Sequence, residues 1–244
     1  MLSAPKGLRF EGMVLFERAD SRQFISIKWP DPSGQGAMRR MNSAANPPVE
    51  KWPAPITSAE RICDVLSVYA PSLATGRIVA GRSTRQLSLK PRDPLRLGHL
   101  VHLDTETGMA LAMATADADG QILERYEYAD ISFGEATAQS TGELDAATYS
   151  RGRTVAPGFF LVTEDTGKGG FVVSDGLATA SVFVEPLPAG APPGEGAVIE
   201  GATLTYTRGV AGSEGGLLIS VLGEVPVVTA RLLADAVRPP RVAE

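Results

Sequence analysis

The sequence predicts an α+β protein built mostly of antiparallel strands. Three observations carry this. Glycine and proline are frequent, 26 and 18 of 244 residues, while aromatic residues are only 6%; that balance favours many turns between short strands. Apolar and polar residues alternate along many short runs, the two-residue period of a strand with one buried face. Helical spacing of apolar residues occurs in only two stretches, near residues 57–69 and 226–237. With 43% hydrophobic residues, the chain suffices for one large domain or two modest ones.

In order, LRFEGMVLFER (8–18) sets Phe10, Val14 and Phe16 on one face with Gly12. QFISIKW (23–29) sets Ile25, Ile27 and Trp29 on one face, with Phe24, Ser26 and Lys28 on the other, and the short ADSR before it suits a hairpin. Residues 30–55, rich in Pro, Gly, Asn and Ser, read as loop with one short strand. Thr57 and Glu60 have capping-box spacing, in which each side chain satisfies a free backbone N–H at a helix start. Ile62, Val65, Leu66 and Tyr69 follow as one apolar stripe, so a helix is predicted to run to the stop at Pro71. From 77 to 133 strands return. A hairpin around Gly81 comes first, then LGHLVHLD, MALAMAT and QILERYEYADISF, joined by DTETG and DADG. Asp119-Gly120 is a strong hairpin signal because such a turn needs positive φ. The turn-rich stretch 134–153 predicts a boundary, dividing the chain into residues 1–146, a linker at 147–152 and residues 153–244. GFFLVTED, GGFVVSDG, LATASVFVEPL, GATLTYTRG and GGLLISVLGE then predict a second antiparallel sheet, with PAGAPPGEG as a loop. Pro226 suits a first helical turn. It opens PVVTARLLADAV, with Val228, Leu232, Leu233 and Ala236 on or near one face.

The stretch LSLKPRDPLRLGHLVHLDTETG (87–108) holds both histidines, His99 and His102, beside Asp104 and Glu106. In a strand, an odd spacing sends the two rings to opposite faces, and Asp104 and Glu106 belong to the following turn. Strand and turn are therefore expected here, and neither a metal site nor a catalytic one. TGKGG (166–170) lacks the first glycine of a phosphate loop. GSEGG (212–216) is not the Gly-x-Ser-x-Gly of a nucleophile elbow. DADG lacks the later ligands of a calcium loop. No catalytic residues, metal ligands or cofactor are assigned. The lone Cys63 excludes an intramolecular disulfide and reads as a small buried apolar residue.

Net charge is −5 but uneven. Residues 1–96 carry 15 basic and 8 acidic side chains; the remainder carries 8 and 20. A basic first part favours an anionic partner or the acidic remainder of the chain, while the overall acidity argues against nucleic acid. No apolar run approaches the roughly 20 residues of a membrane helix, and no signal-peptide pattern is visible at the start.

Several stretches together resemble the MucB/RseB family. LRFEGMVLFER resembles its opening strand. VAGRSTRQLSLKPRDPLRLGHLVHLDTETGMALAMATADADGQILERYEYADISFG (79–134) resembles its central meander, with Pro-Arg-Asp, Leu-x-x-Gly-His and Leu-Asp-x-Glu-Thr-Gly carrying the likeness. VAPGFFLV, VVSDGLATASVFVEP, GATLTYTRG and VLGEVPVVTARLLADAV resemble its second domain. The stretch 30–70 is shorter and more Pro-rich than the family pattern, and one or two strands before the helix are missing. The family's N-terminal secretion segment is also absent, and Met1 falls inside what resembles the first helix of the mature protein.

The resemblance implies a half-open β-barrel with a helix, similar to LolA-type lipoprotein carriers, and a smaller α+β domain ending in a helix. It implies a periplasmic negative regulator of the envelope-stress sigma factor. Such a protein binds the periplasmic segment of a transmembrane, RseA/MucA-like anti-sigma factor and protects it from proteolysis. Lipid or lipopolysaccharide signals release it. The alternative is a periplasmic lipid or lipoprotein carrier, and a homo-oligomer is open under either. On this resemblance Val14, Phe16, Ile25, Ile27 and Trp29 are the candidates to line the lipid-binding inner face of the half-barrel, with packing on the helix at 57–69 as the alternative. Phe159, Phe160, Tyr206 and Arg208 are the candidates to meet the partner protein, with ordinary sheet packing as the alternative for the aromatics.

Overall fold

The structure, a computed structural model, describes residues 9–18, 21–29, 37–40, 62–134, 152–165, 170–188, 190, 192–211 and 216–237. The Thr57–Glu60 capping box, most of the 147–152 linker, and most of TGKGG and GSEGG lie outside these residues. Grouping of contacts divides the chain into two units. The first comprises Met1–Glu60, Ala70–Lys90 and Gly98–Tyr149. The second comprises Arg61–Tyr69, Pro91–Leu97 and Ser150–Glu244.

In the first unit, the alternation read from the sequence becomes an eight-stranded sheet. Its strands are β1 (Arg9–Arg18), β2 (Ser21–Trp29), β3 (Ala37–Arg40), β4 (Tyr69–Thr75), β5 (Thr84–Pro91), β6 (Gly98–Asp104), β7 (Ala110–Ala116) and β8 (Ile122–Gly134). The order is β3-β2-β1-β8-β7-β6-β5-β4. The register aligns apolar residues across strands: Val14 faces Ile25 on β2 and Tyr128 on β8, and Phe10 faces Trp29 and Phe133. The hairpin at Asp119-Gly120 forms as expected. Gly120 takes φ 84, and Asp117 Oδ1 accepts the backbone N–H of Asp119 and Gln121 at 3.0 and 2.8 Å.

The sheet curls around its apolar face. Arg82 borders β5 and Phe133 ends β8, with β6 and β7 between them. A flat sheet would hold those strands about 14 Å apart, yet the Arg82 guanidinium lies 4.8 Å from the centre of the Phe133 ring. Val79, from the connection before β5, likewise joins the cluster that holds Val14 and Ile25. The curl does not close: β3 and β4 remain at opposite ends of the order.

The predicted first helix differs from the observed one. Helix α1 spans Ile62–Val68, and Tyr69 already opens β4. Pro71 therefore sits inside a strand. It does so on the edge strand of the sheet, the place where a residue without an N–H is tolerated.

In the second unit, a seven-stranded sheet is built from β9 (Thr154–Ala156), β10 (Phe159–Asp165), β11 (Gly170–Ser174), β12 (Thr179–Pro186), β13 (Gly194–Glu200), β14 (Thr203–Val210) and β15 (Leu217–Gly223). The order is β13-β14-β15-β12-β11-β10-β9. The reading of PAGAPPGEG as a loop holds only in part, because its last three residues, Gly194–Gly196, open β13. Helix α2 (Val227–Asp235) packs on β14, β15 and β9. Its buried residues are Thr229, Ala230, Leu233 and Ala234, whereas Val228 and Leu232 are exposed. The stripe is rotated from the one read by hydrophobicity because Thr229 is needed inside. Its hydroxyl donates to the Leu95 carbonyl at 2.6 Å, so a polar side chain is buried with its bond made.

Gly158 joins β9 to β10 at φ 71, and a Cβ there would overlap Arg96 Nη2 and Val68 Cγ1. Gly158→Ala is therefore expected to destabilise the protein by about 2–4 kcal/mol, read as a lowered urea-unfolding midpoint.

Candidate functional site

Two surfaces were singled out by residue type. On the first unit, Val14, Ile25 and Ile27 are buried in one apolar cluster with Phe10, Val79, Met109, Leu111, Ala112 and Tyr128. Phe16 and Trp29 pack against it half-buried. The five sequence-predicted residues thus come together on one curved face, but in two roles. Val14 is fully enclosed, with Ile25 and Ile27 nearly so, and they form the floor. Phe16 and Trp29 keep surface that a ligand can reach. The Arg18 guanidinium sits 5.5 Å from the Phe16 ring centre, a cation–π contact at the rim.

Tyr126, Tyr128, Ile131 and Phe133 on β8 belong to the same face and were not singled out. Their alternation is legible in RYEYADISF, but its phase shifts at a bulge, where β1 passes from Asp130 to Tyr128. Burial pushes the Tyr126 and Tyr128 hydroxyls above the ordinary tyrosine range, so both stay neutral in the apolar face.

On the second unit, Phe159 is fully buried and Tyr206 nearly so; both belong to the sheet's core. Phe160 is half-buried, and Arg208 reaches solvent, where it pairs with Asp235 of α2. The Tyr206 hydroxyl donates to Glu195 Oε2 at 2.6 Å, and Arg231 Nη2 donates to Glu195 Oε1 at 2.6 Å. The bonds from Tyr206 and Arg231 hold the Glu195 carboxyl below its usual range. Gly194, Glu195, Arg208, Gly209, Arg231 and Asp235 line a cleft of about 360 Å³. Its two guanidinium groups and two carboxylates balance.

One group escaped the sequence reading. Arg96 is 1% exposed. Its Nε lies 3.0 Å from Asp175 Oδ2. Nη1 donates to Asp93 Oδ1 and Oδ2 at 2.7 and 2.6 Å, and Nη2 to the Pro157 carbonyl at 2.7 Å. The Phe159 ring lies 4.7 Å beneath the guanidinium. Tyr69 donates to Asp175 Oδ2 at 3.2 Å, and the N–H groups of Leu177 and Ala178 reach Oδ1. Pro-Arg-Asp was legible as a motif, but nothing local marks Arg96, four residues further on, as interior.

His99 and His102 lie on β6 with separate partners. His99 Nδ1 is 3.5 Å from Thr115 Oγ1, and His102 Nδ1 is 3.2 Å from Thr84 Oγ1. Asp104 accepts from Arg82 and from the N–H and hydroxyl of Thr107, and Arg82 also bonds Glu106. Burial works to raise the Asp104 carboxyl, but those bonds outweigh it and hold it low. Among the described residues no cluster of three or more His, Cys, Asp or Glu is arranged to hold a metal ion, and no helix is long and apolar enough to cross a membrane.

Comparison with known proteins adds four findings. The MucB/RseB N-terminal domain family matches residues 37–148, and the MucB/RseB C-terminal domain family matches residues 150–238. The sigma factor AlgU regulatory protein MucB of Pseudomonas aeruginosa is 34% identical over 189 residues. That alignment covers 68% of this chain and 59% of the relative's length. The solved MucA/MucB complex of Pseudomonas aeruginosa superimposes with a TM-score of 0.74 at 25% identity, covering 96% of this chain and 94% of that one. A crystal structure of MucB in complex with MucA(peri) gives 0.73 at 27% identity with the same coverage.

The histidines make the fold sensitive to acid. Burial pushes His99 down to about 4 from 6.5. A histidine depressed in the folded state contributes stability that is complete above its unfolded value and is lost as pH falls from 6.5 through 4. That loss amounts to about 3 kcal/mol by pH 4. Relative to the unchanged protein, His99→Leu is expected to lose less stability between pH 7.5 and 4.5, read from urea midpoints at the two values.

Proposed function

The chain belongs to the MucB/RseB family, and on that premise we propose that it is a periplasmic negative regulator of an envelope-stress sigma factor. It binds the periplasmic segment of a transmembrane anti-sigma factor and protects that segment from proteolysis. Lipid or lipopolysaccharide releases it. The observation that carries the reading is the ordered match of both family domains, at 37–148 and 150–238. The likeness to MucB in two complexes with MucA supports the choice of partner.

The geometry suits a linked pair of ligands. The curled sheet of the first unit offers an apolar floor of Val14, Ile25 and Ile27 with Phe16 and Trp29 beside it. Acyl chains fit such an apolar floor, with the Arg18 guanidinium beside Phe16 at its rim. The second unit offers Phe160, Arg208 and the polar cleft beside Glu195. A lipid that prefers the partner-free protein weakens partner binding by its differential affinity, typically about 1–3 kcal/mol.

Calorimetric titration with the periplasmic segment of the anti-sigma factor from the same genome, with and without lipopolysaccharide, tests the proposal. Saturable binding that lipopolysaccharide weakens is the expected result. Lipid binding by a folded protein that ignores the anti-sigma segment would point instead to a carrier. Trp29→Ala is expected to weaken lipid binding while leaving the unfolding free energy within about 1 kcal/mol, since Trp29 is only half-buried. Unchanged lipid binding in that variant would remove Trp29 from the ligand surface.

A further inference from the structure

Among the described residues β13 is the outermost strand of the second sheet and pairs with β14 alone. All seven of its residues are exposed, Val198 at 69% and Ile199 at 61%. Folded proteins ordinarily blunt such an edge with central charge, proline or a bulge, because its open N–H and C=O groups template another strand. Here the register runs from Gly194↔Gly209 to Glu200↔Thr203 without a bulge. Pro192 and Pro193 stop short of the strand, and its two acids, Glu195 and Glu200, lie toward its ends. The centre, Gly196-Ala197-Val198-Ile199, is regular, uncharged and open.

We propose that β13 is a docking edge that takes an extended segment of a partner polypeptide by strand addition. Seven residues at about 3.4 Å each span about 24 Å, so the segment is six or seven residues long. Each face of the edge selects its chemistry. On one face Val198 continues a row through Thr205 to Leu222, and Leu222 is itself 44% exposed; a β-branched side chain set beside Val198 extends that row. On the other face Glu195 borders the cleft with Arg208, Arg231 and Asp235, which accepts a polar side chain. Like charges set directly opposite destabilise paired strands, so the segment carries basic rather than acidic residues opposite Glu195 and Glu200. A second copy of this chain is the poorer occupant: stable interfaces use about 20–30 residues a side, and this edge supplies seven. On the regulator reading the segment belongs to the anti-sigma factor. That identity rests on the reading; the docking edge does not.

The test uses two fluorescein-labelled peptides, Lys-Thr-Val-Thr-Val-Lys, whose ends match the Glu195–Glu200 spacing, and the same peptide with Glu at both ends, followed by anisotropy with the full chain. The Lys-ended peptide is expected to bind saturably and the Glu-ended one at least tenfold more weakly. Val198→Lys and Ile199→Lys should each weaken the Lys-ended peptide at least tenfold. Val162→Lys, an exposed position on β10 of the same sheet, should leave it unchanged. Because all three side chains are exposed, circular dichroism should show folded variants. The anti-sigma periplasmic segment is then titrated against Ile199→Lys. Edge-dependent peptide binding with no binding of the anti-sigma segment keeps the docking edge and sinks the regulator reading. Anti-sigma binding untouched by the edge variants, with the peptide unbound, overturns the docking edge and keeps the regulator. A dimer that Ile199→Lys dissociates, with neither peptide bound, gives the edge to a second copy and also overturns the proposal.

Discussion

Arg96 carries a full charge where almost no water reaches it, and much of the second unit is arranged to make that tolerable. An uncompensated buried charge is prohibitive. Here two carboxylates, one carbonyl and one aromatic ring surround the guanidinium. They come from three places in the sequence: Asp93 from the same short connection, Pro157 and Phe159 from the β9–β10 turn and the start of β10, and Asp175 from the β11–β12 turn. Tyr69, the first residue of β4 directly after α1, also donates to Asp175. The Arg92 backbone N–H donates to the Val68 carbonyl, which ties the connection to α1. Removing one partner from such a buried pair typically costs about 3–5 kcal/mol, more than the pair contributes in net terms. The arrangement therefore fixes which segments assemble together more than it adds stability. It gives a physical reason why Arg61–Tyr69 and Pro91–Leu97 group with residues 150–244.

The first unit is governed by a different constraint. Its sheet has one strongly apolar face and curls until that face partly covers itself, as Val79 and Arg82 near one end meet residues of β1, β2 and β8. The opposite face is laced with ion pairs, Arg77 to Glu127 and Glu17 to Arg22 and Arg125 among them. Exposed pairs of this kind contribute little each, but they keep the outer face polar. Curling without closure leaves Phe16 and Trp29 half-covered.

Where the sequence was legible, one local rule was enough. Alternation placed Val14, Phe16, Ile25, Ile27 and Trp29 on one face because the strand period is two and both strands keep it unbroken. Asp119-Gly120 announced its turn because few residue pairs accept positive φ. The odd spacing of His99 and His102 separated the two rings. Local rules failed where a distant group decided the outcome. Pro71 reads as a helix stop and became an edge-strand residue because β5 was there to pair with. Leu232 reads as core, yet Thr229 took the interior place because the Leu95 carbonyl needed a donor. By type Phe159 and Tyr206 suit either a partner contact or ordinary sheet packing, and only the assembled sheet placed both in its core.

The sequence by itself thus determined the antiparallel class, the strand phases of β1 and β2, the hairpin at Gly120 and, through its ordered motifs, the family. All of these depend on neighbours along the chain or on the order of motifs. Only the tertiary structure decided that Arg96 is interior, that α1 groups with the second unit, that the first sheet curls, and that β13 ends its sheet among the described residues. Each of those depends on which groups meet across long separations in sequence. Burial and edge position belong to the packed assembly of strands, and no single stretch of residues encodes them.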